Sequence, residues 1–197
     1  LTAYAKSKVN SEKEISKLSN SNFCTTNLRS ATAYGLSNSI RLDLVVNNLT
    51  CSAFTTNHVK LLSDGTAWRP LVHVEDMADA CISAIGAPSQ VISGHIYNVG
   101  NDKENYTKIQ LAEIIKEFIT DVEIEIIKSK KDPRNYKVSF EKIKNSLNFE
   151  PKYTVRDSVI EILNDIKSGK IDPRDSEFSN MSKLTEKINT LHNYNFT

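Results

Sequence analysis

Tyr4 and Lys8 stand four residues apart in a stretch with helical patterning, so both side chains project from one face. A phenol with an ammonium one turn away is an acid/base pair. The positive charge favours the phenolate and draws the tyrosine pKa from about 10 toward neutrality, where proton exchange with a hydroxyl or ketone is efficient. Taken alone, Y-x-x-x-K is equally the pattern of a solvent-exposed helix pair. Other chemistry-bearing residues are less telling. Cys24, Cys51 and Cys81 are odd in number, widely spaced and set among apolar neighbours. They are expected as reduced core thiols, and without C-x-x-C spacing no metal site is expected. His73 falls in a short strand and reads as structural, and Asp76 reads as a helix cap.

The elements that must position these groups alternate between strand and helix. Residues 4–18 read as a helix with Ala5, Val9 and Ile15 roughly on one side, and 23–28 as a short strand. Leu42, Val45, Val46, Leu49 and Ala53 recur at three- and four-residue steps, predicting a second, well-buried helix. Strands are expected at 59–62, 71–74, 95–99 and 122–127, with Asp64-Gly65 as a turn. Helices are expected at 76–85, closed by Gly86 and Pro88, and at 107–118, opened by a Thr107/Gln110 capping box. Further helices are expected at 143–147 and at 155–166, the last stopped by a left-handed Gly169. Residues 170–197 are polar, with one helix expected near 182–192. This alternation argues for an α/β fold.

The 25 basic and 24 acidic side chains nearly cancel, which argues against a global field for nucleic acid or an anionic membrane. The longest apolar runs fall short of a membrane span, and no charged-then-apolar signal pattern opens the chain. A soluble, cytoplasmic protein that recognises its partner at a local site is expected.

Tyr4-Ala-Lys-Ser-Lys8 is followed at fitting distances by Leu28-Arg-Ser-Ala-Thr-Ala-Tyr-Gly35 and Asp43-Leu-Val-Val-Asn-Asn-Leu49. Next come Ser63-Asp-Gly-Thr-Ala-Trp-Arg-Pro-Leu-Val-His-Val-Glu-Asp-Met-Ala78, Tyr97-Asn-Val-Gly100, Asn105-Tyr106 and Asp132-Pro-Arg-Asn-Tyr136. The series, covering about residues 1–165, resembles the extended short-chain dehydrogenases/reductases, the NAD-dependent epimerase/dehydratase family that remodels nucleotide sugars.

That resemblance implies the C-terminal part of a Rossmann-type doubly wound parallel sheet plus a smaller α/β substrate-binding domain, with the active site in the crevice between them. Residues 1–58 would be the final elements of the dinucleotide-binding domain, 59–169 mainly the nucleotide-sugar domain, and 170–197 a peripheral tail. Tyr4 and Lys8 would be catalytic and, with Ala31 and Thr32, would touch NAD or NADP, NAD being favoured. Lys8 would hydrogen-bond the nicotinamide ribose. Thr32, Asn48, Leu62, Arg69 and Arg134 would bind a nucleotide-diphosphate sugar, the arginines clamping its phosphates bidentately and the base lying near 61–63. Asn48 has simple helix capping as an equal alternative. The chain departs from the pattern at Thr32, where many relatives carry asparagine, and at Leu36, where many carry proline.

The activity implied is epimerisation: Tyr4 removes a hydroxyl proton while the cofactor accepts hydride, giving a transient keto sugar. Epimerisation comes first because relatives carrying Trp-Arg-Pro-Leu-Val-His-Val are mostly described that way. A 4,6-dehydratase or keto-sugar reductase is the alternative within the family. The six glycines form neither G-x-x-G-x-x-G nor G-x-G-x-x-G, and the family's upstream Ser/Thr has no counterpart, so a preceding segment is expected to hold both. A non-catalytic binding domain is the alternative from another class. A homodimer through the tyrosine-bearing helix is expected.

Overall fold

The computed structural model describes residues 2–38, 40–127, 132 and 134–174. Helix α1, Ala3–Lys17, starts where Thr2 Oγ1 accepts the Ala5 N–H. It buries none of its side chains among the described residues. Polar ties hold it to strand β1, Asn27–Ser30. Arg29 makes a bidentate pair with Glu12 at 2.6 and 2.7 Å, and Asn27 Nδ2 donates to Ser16 Oγ at 3.0 Å. The expected strand at 23–28 therefore begins later. Phe23 is 55% exposed because Asn20 Oδ1 captures the Asn22 and Phe23 N–H groups in a turn.

Strand β2, Thr32–Tyr34, follows directly, so Thr32 lies at the start of a strand. Helix α2, Val45–Thr56, begins three residues later than the periodicity predicts. A bidentate Arg41–Asp43 pair closes a turn there, and Leu42 packs into a different cluster with Ile162 and Ile166. Asn57, in the left-handed conformation, ends α2 and leads into β3, His58–Leu61. Strand β4, Trp68–His73, feeds without a break into helix α3, Val74–Gly86. His73, not Asp76, caps that helix, its Nδ1 accepting the Glu75 N–H at 3.2 Å. Asp76 instead ties the distant 152–153 backbone, accepting both N–H groups at 2.8 and 3.2 Å.

A short helix α4, Ser89–Ile92, precedes β5, Ile96–Val99, and strand β6, Asn105–Thr107, precedes helix α5, Lys108–Lys116. Strand β7, Glu123–Ile126, and helices α6, Glu141–Leu147, and α7, Val155–Lys167, complete the described chain. The expected Thr107/Gln110 capping box is present, a second one opens α7, and Gly169 has φ +75°. The helix expected near 182–192 lies outside the described residues. Among the described residues no helix is long and apolar enough to cross a membrane.

The α/β alternation produces parallel pairing: β1 with β5, β2 with β4, and β3 with β7. Strand β6 joins β4 antiparallel. One core gathers Val46, Leu49 and Ala53 of α2, Leu111 and Ile115 of α5, and Val159 and Leu163 of α7 around β3 and β4. Each such side chain contributes roughly 1.5–3 kcal/mol when fully buried. A second core gathers Tyr97 and Val99 of β5 with Ala80, Phe140, Ile143 and Phe149. Strand β4 serves both, Leu71 facing the first and Val72 the second, as alternation along a strand requires. Of the three thiols only Cys51 is in a core; Cys24 is exposed in the stretch before β1 and Cys81 is exposed on α3.

Candidate functional site

Arg69 is set in β4 opposite Tyr106 of β6, which fixes its backbone, and it is only 6% exposed. Its Nη1 donates to the Trp68 and Arg134 carbonyls and its Nη2 to Asp132 Oδ2 at 2.5 Å. The same carboxylate oxygen accepts from Lys108 Nζ at 2.9 Å. Oδ1 accepts the Arg134 backbone N–H at 3.0 Å and its Nε at 3.2 Å. Burial raises the Asp132 pKa, but the hydrogen bonds from Lys108 and Arg134 outweigh it and hold the carboxyl well below the usual carboxylate range.

This cluster forms one wall of a cavity of about 340 Å³. Thr32, Asn48, Leu62, Arg69 and Arg134, the five expected substrate-binding residues, all line it. Thr32 arrives from β2 opposite Leu71 of β4. Asn48 is in the first turn of α2 but does not cap it, since its Nδ2 donates to the Leu42 carbonyl at 3.1 Å. Leu62, just past β3, is 72% exposed at the rim. Among the described residues that line it, Lys60, Arg69, Lys108 and Arg134 are cations and Asp43 a carboxylate, with the Asp132 carboxylate bound to the last three cations. Such a lining attracts an anion with several oxygen acceptors.

Tyr4, Lys8 and Ala31 do not line this cavity. Tyr4 is 72% exposed on α1, with Lys8 Nζ 5.6 Å from its ring centroid, so the two share a helix face. Asp43 of the cavity wall is paired with Arg41 at 2.5 Å. Ala31, half-buried after β1, gives its N–H to the Val99 carbonyl at 2.8 Å, at the C-terminal ends of two parallel strands.

His73 is 2% exposed, stacked on Tyr153 at 4.3 Å and edge-on to Tyr34 at 5.3 Å. Its Nε2 faces Gly35, where an added Cβ would lie 2.2 Å away, so that turn needs glycine for space as well as for its φ of +103°. Lys108 and Asp132 complete the cluster without having been among the residues expected there. A cation at the first position of a helix, against the macrodipole, was the available signal.

Residues 1–100, just over half of the 197, match the model of the NAD dependent epimerase/dehydratase family. The chain belongs to that family. Among family relatives, UDP-glucuronic acid decarboxylase 3 of Arabidopsis thaliana is 32% identical over 117 residues, which is 58% of this chain and 33% of that protein. The UDP-glucose 4-epimerase of Thermotoga maritima, solved with UDP-glucose, superposes with a TM-score of 0.74 at 21% identity, covering 87% of this chain and 55% of the other. The dTDP-glucose 4,6-dehydratase of Bacillus anthracis, solved with NAD, gives 0.71 at 21% identity over 92% and 55%. These likenesses show the Rossmann-type α/β fold. The chain spans about a third of the length of the curated relative and about half of the solved ones.

The family's dinucleotide can be tested against the groups present. An exposed phenol and ammonium on one helix face, and Ala31 just past the C-terminal ends of the parallel β1 and β5 with Thr32 next to it, suit a nicotinamide and its ribose. The glycine-rich turn that suits a pyrophosphate has no counterpart among the six glycines of 1–197.

Proposed function

We propose that this chain carries the proton-transfer pair and the diphosphate clamp of an enzyme that oxidises a nucleotide-linked sugar to a keto sugar. One observation carries the reading: five residues spread from position 32 to 134 meet on one cation-rich cavity. In this reading Arg69 and Arg134 hold the diphosphate, Asn48 adds an amide, and the base lies along β3 toward Leu62. Thr32 hydrogen-bonds the sugar from the β2 end of the cavity, and Tyr4 takes the proton of a sugar hydroxyl. Lys8 stabilises the phenolate and offers an N–H to a ribose hydroxyl. NAD(P), with NAD favoured, supplies the hydride acceptor when bound, its pyrophosphate held by residues other than 1–197. In this reading the core around β1 and β5 belongs to the dinucleotide unit, while α2, expected with that unit in 1–58, packs with α5 and α7 of the sugar unit. Exposed Val9 and Ile15 on α1 support pairing of two copies along that helix.

Epimerisation follows when hydride returns to the opposite face of the keto carbon. The Arabidopsis relative favours a second reading, decarboxylation. A keto group β to a carboxylate accepts the electron pair released as CO2 leaves, and a proton then replaces it at that carbon.

The test is an assay of the chain joined to a glycine-rich dinucleotide segment, with NAD and either UDP-glucose or UDP-glucuronic acid. Isomerised UDP-glucose is expected, and CO2 from UDP-glucuronic acid selects decarboxylation instead. Tyr4→Phe is expected to lower turnover at least 10²-fold with UDP affinity unchanged. Full turnover in that variant ends the assignment of Tyr4.

A further inference from the structure

We infer that Lys108 is a third phosphate-binding cation of the cavity, set by Asp132 beside Arg69 and Arg134, and that the trio selects ligands with two linked phosphates over one. The inference rests on the nucleotide-sugar reading above and names a residue and a selectivity that reading does not require.

Lys108 is the first residue of α5, where the helix's partial positive charge disfavours a cation. The Thr107/Gln110 capping box already closes that helix end, so the cap itself does not call for an ammonium there. Lysines at such positions ordinarily extend their charge into water. This side chain is only 18% exposed, lines the cavity and reaches Asp132 Oδ2 at 2.9 Å.

Asp132 is the positioning residue. Its carboxylate engages Lys108, Arg69 and Arg134 at once, so three side chains from α5, β4 and the 134–140 segment converge within hydrogen-bond reach of one group. Arg69 and Asp132 side chains are each 7% exposed, and in so shielded a place charge interactions are strong. Three cations against one carboxylate leave a surplus of two positive charges. A nucleoside diphosphate ester carries two negative charges in the same span. Among the described residues the Lys108 ammonium donates to Asp132 alone, and two of its three N–H groups remain for a ligand. Arg69, by contrast, spends Nη1 on two carbonyls and is held in one orientation. A single phosphate satisfies Arg69 and leaves Lys108 with Asp132.

The experiment is calorimetric titration of the chain with uridine diphosphate and uridine monophosphate at low and moderate salt, on wild type, Lys108→Met, Lys108→Arg and Arg69→Gln. Lys108→Met is expected to weaken diphosphate binding about tenfold, the loss of one charge-assisted contact, and to leave monophosphate binding nearly unchanged. Lys108→Arg is expected to restore most of the loss, and the salt dependence of diphosphate binding to flatten in Lys108→Met. Thermal melts check folding, and Lys108→Gln replaces Lys108→Met if the latter melts early. Wild-type diphosphate affinity in the neutral variant, or equal losses for both nucleotides, overturns the role of Lys108. If Arg69→Gln also binds like wild type, or wild type binds neither nucleotide, the nucleotide-sugar reading falls with it.

Discussion

At the scale of single residues, Gly35 fits the turn after β2 against His73, and Asp132 gathers three cations of the cavity. Gly35 has φ +103° and meets His73 Nε2 where a Cβ would go, so a methyl group there faces both backbone strain and a buried ring. Gly35→Ala is expected to cost more than about 1 kcal/mol in urea unfolding; an unchanged midpoint would refute the steric account. Asp132 has a folded-state pKa below its ordinary value, so the stability it contributes is present above about pH 4 and is lost as the pH falls through the lower folded value. The melting difference between wild type and Asp132→Asn should therefore be full at neutral pH and shrink toward zero in acid. A difference that persists undiminished at the acid end would mean that the carboxylate charge is not what holds Arg69.

Among the elements, two helices share one device and a third lacks core contacts. Helices α5 and α7 both open on capping boxes, Thr107 with Gln110 and Thr154 with Asp157. Thr107→Ala and Thr154→Ala should each cost about 1 kcal/mol, read as equal falls in thermal midpoint. Helix α1 buries no side chain among the described residues and is tied to β1 largely through Glu12 and Arg29. In hydrogen exchange, Glu12→Gln is expected to raise rates in α1 while β3 and α5 stay protected; a uniform rise would show that α1 is not a separable unit.

Across the whole molecule, stability is concentrated where α2, α5 and α7 cover β3 and β4. Leu111, fully buried there, should cost roughly 2–5 kcal/mol as Leu111→Ala, whereas Ile85→Ala at an 83% exposed position should stay within about 0.5 kcal/mol. Comparable costs at the two sites in chemical denaturation would contradict this distribution. The same packing brings β3, β4 and α2 together around the cavity.

Periodicity made most helices legible. Val155, Val159, Ile162 and Ile166 form a stripe in any local reading, and Thr107-x-x-Gln110 is a signal complete within four residues. Ordered motifs likewise picked out, without coordinates, the five residues that meet on the cavity. Boundaries failed where a side chain outbid local pattern: Asn20 holding Phe23 in a turn, Arg41 pairing with Asp43 ahead of α2, His73 capping a helix that Asp76 was expected to open. Residue types and their spacing, then, determined the alternation of elements and the candidates for chemistry. Only the tertiary structure decided that Lys108 joins Arg69 and Arg134, because their shared partner Asp132 lies 24 residues from Lys108 and 63 from Arg69, and no local pattern encodes a contact closed through such loops.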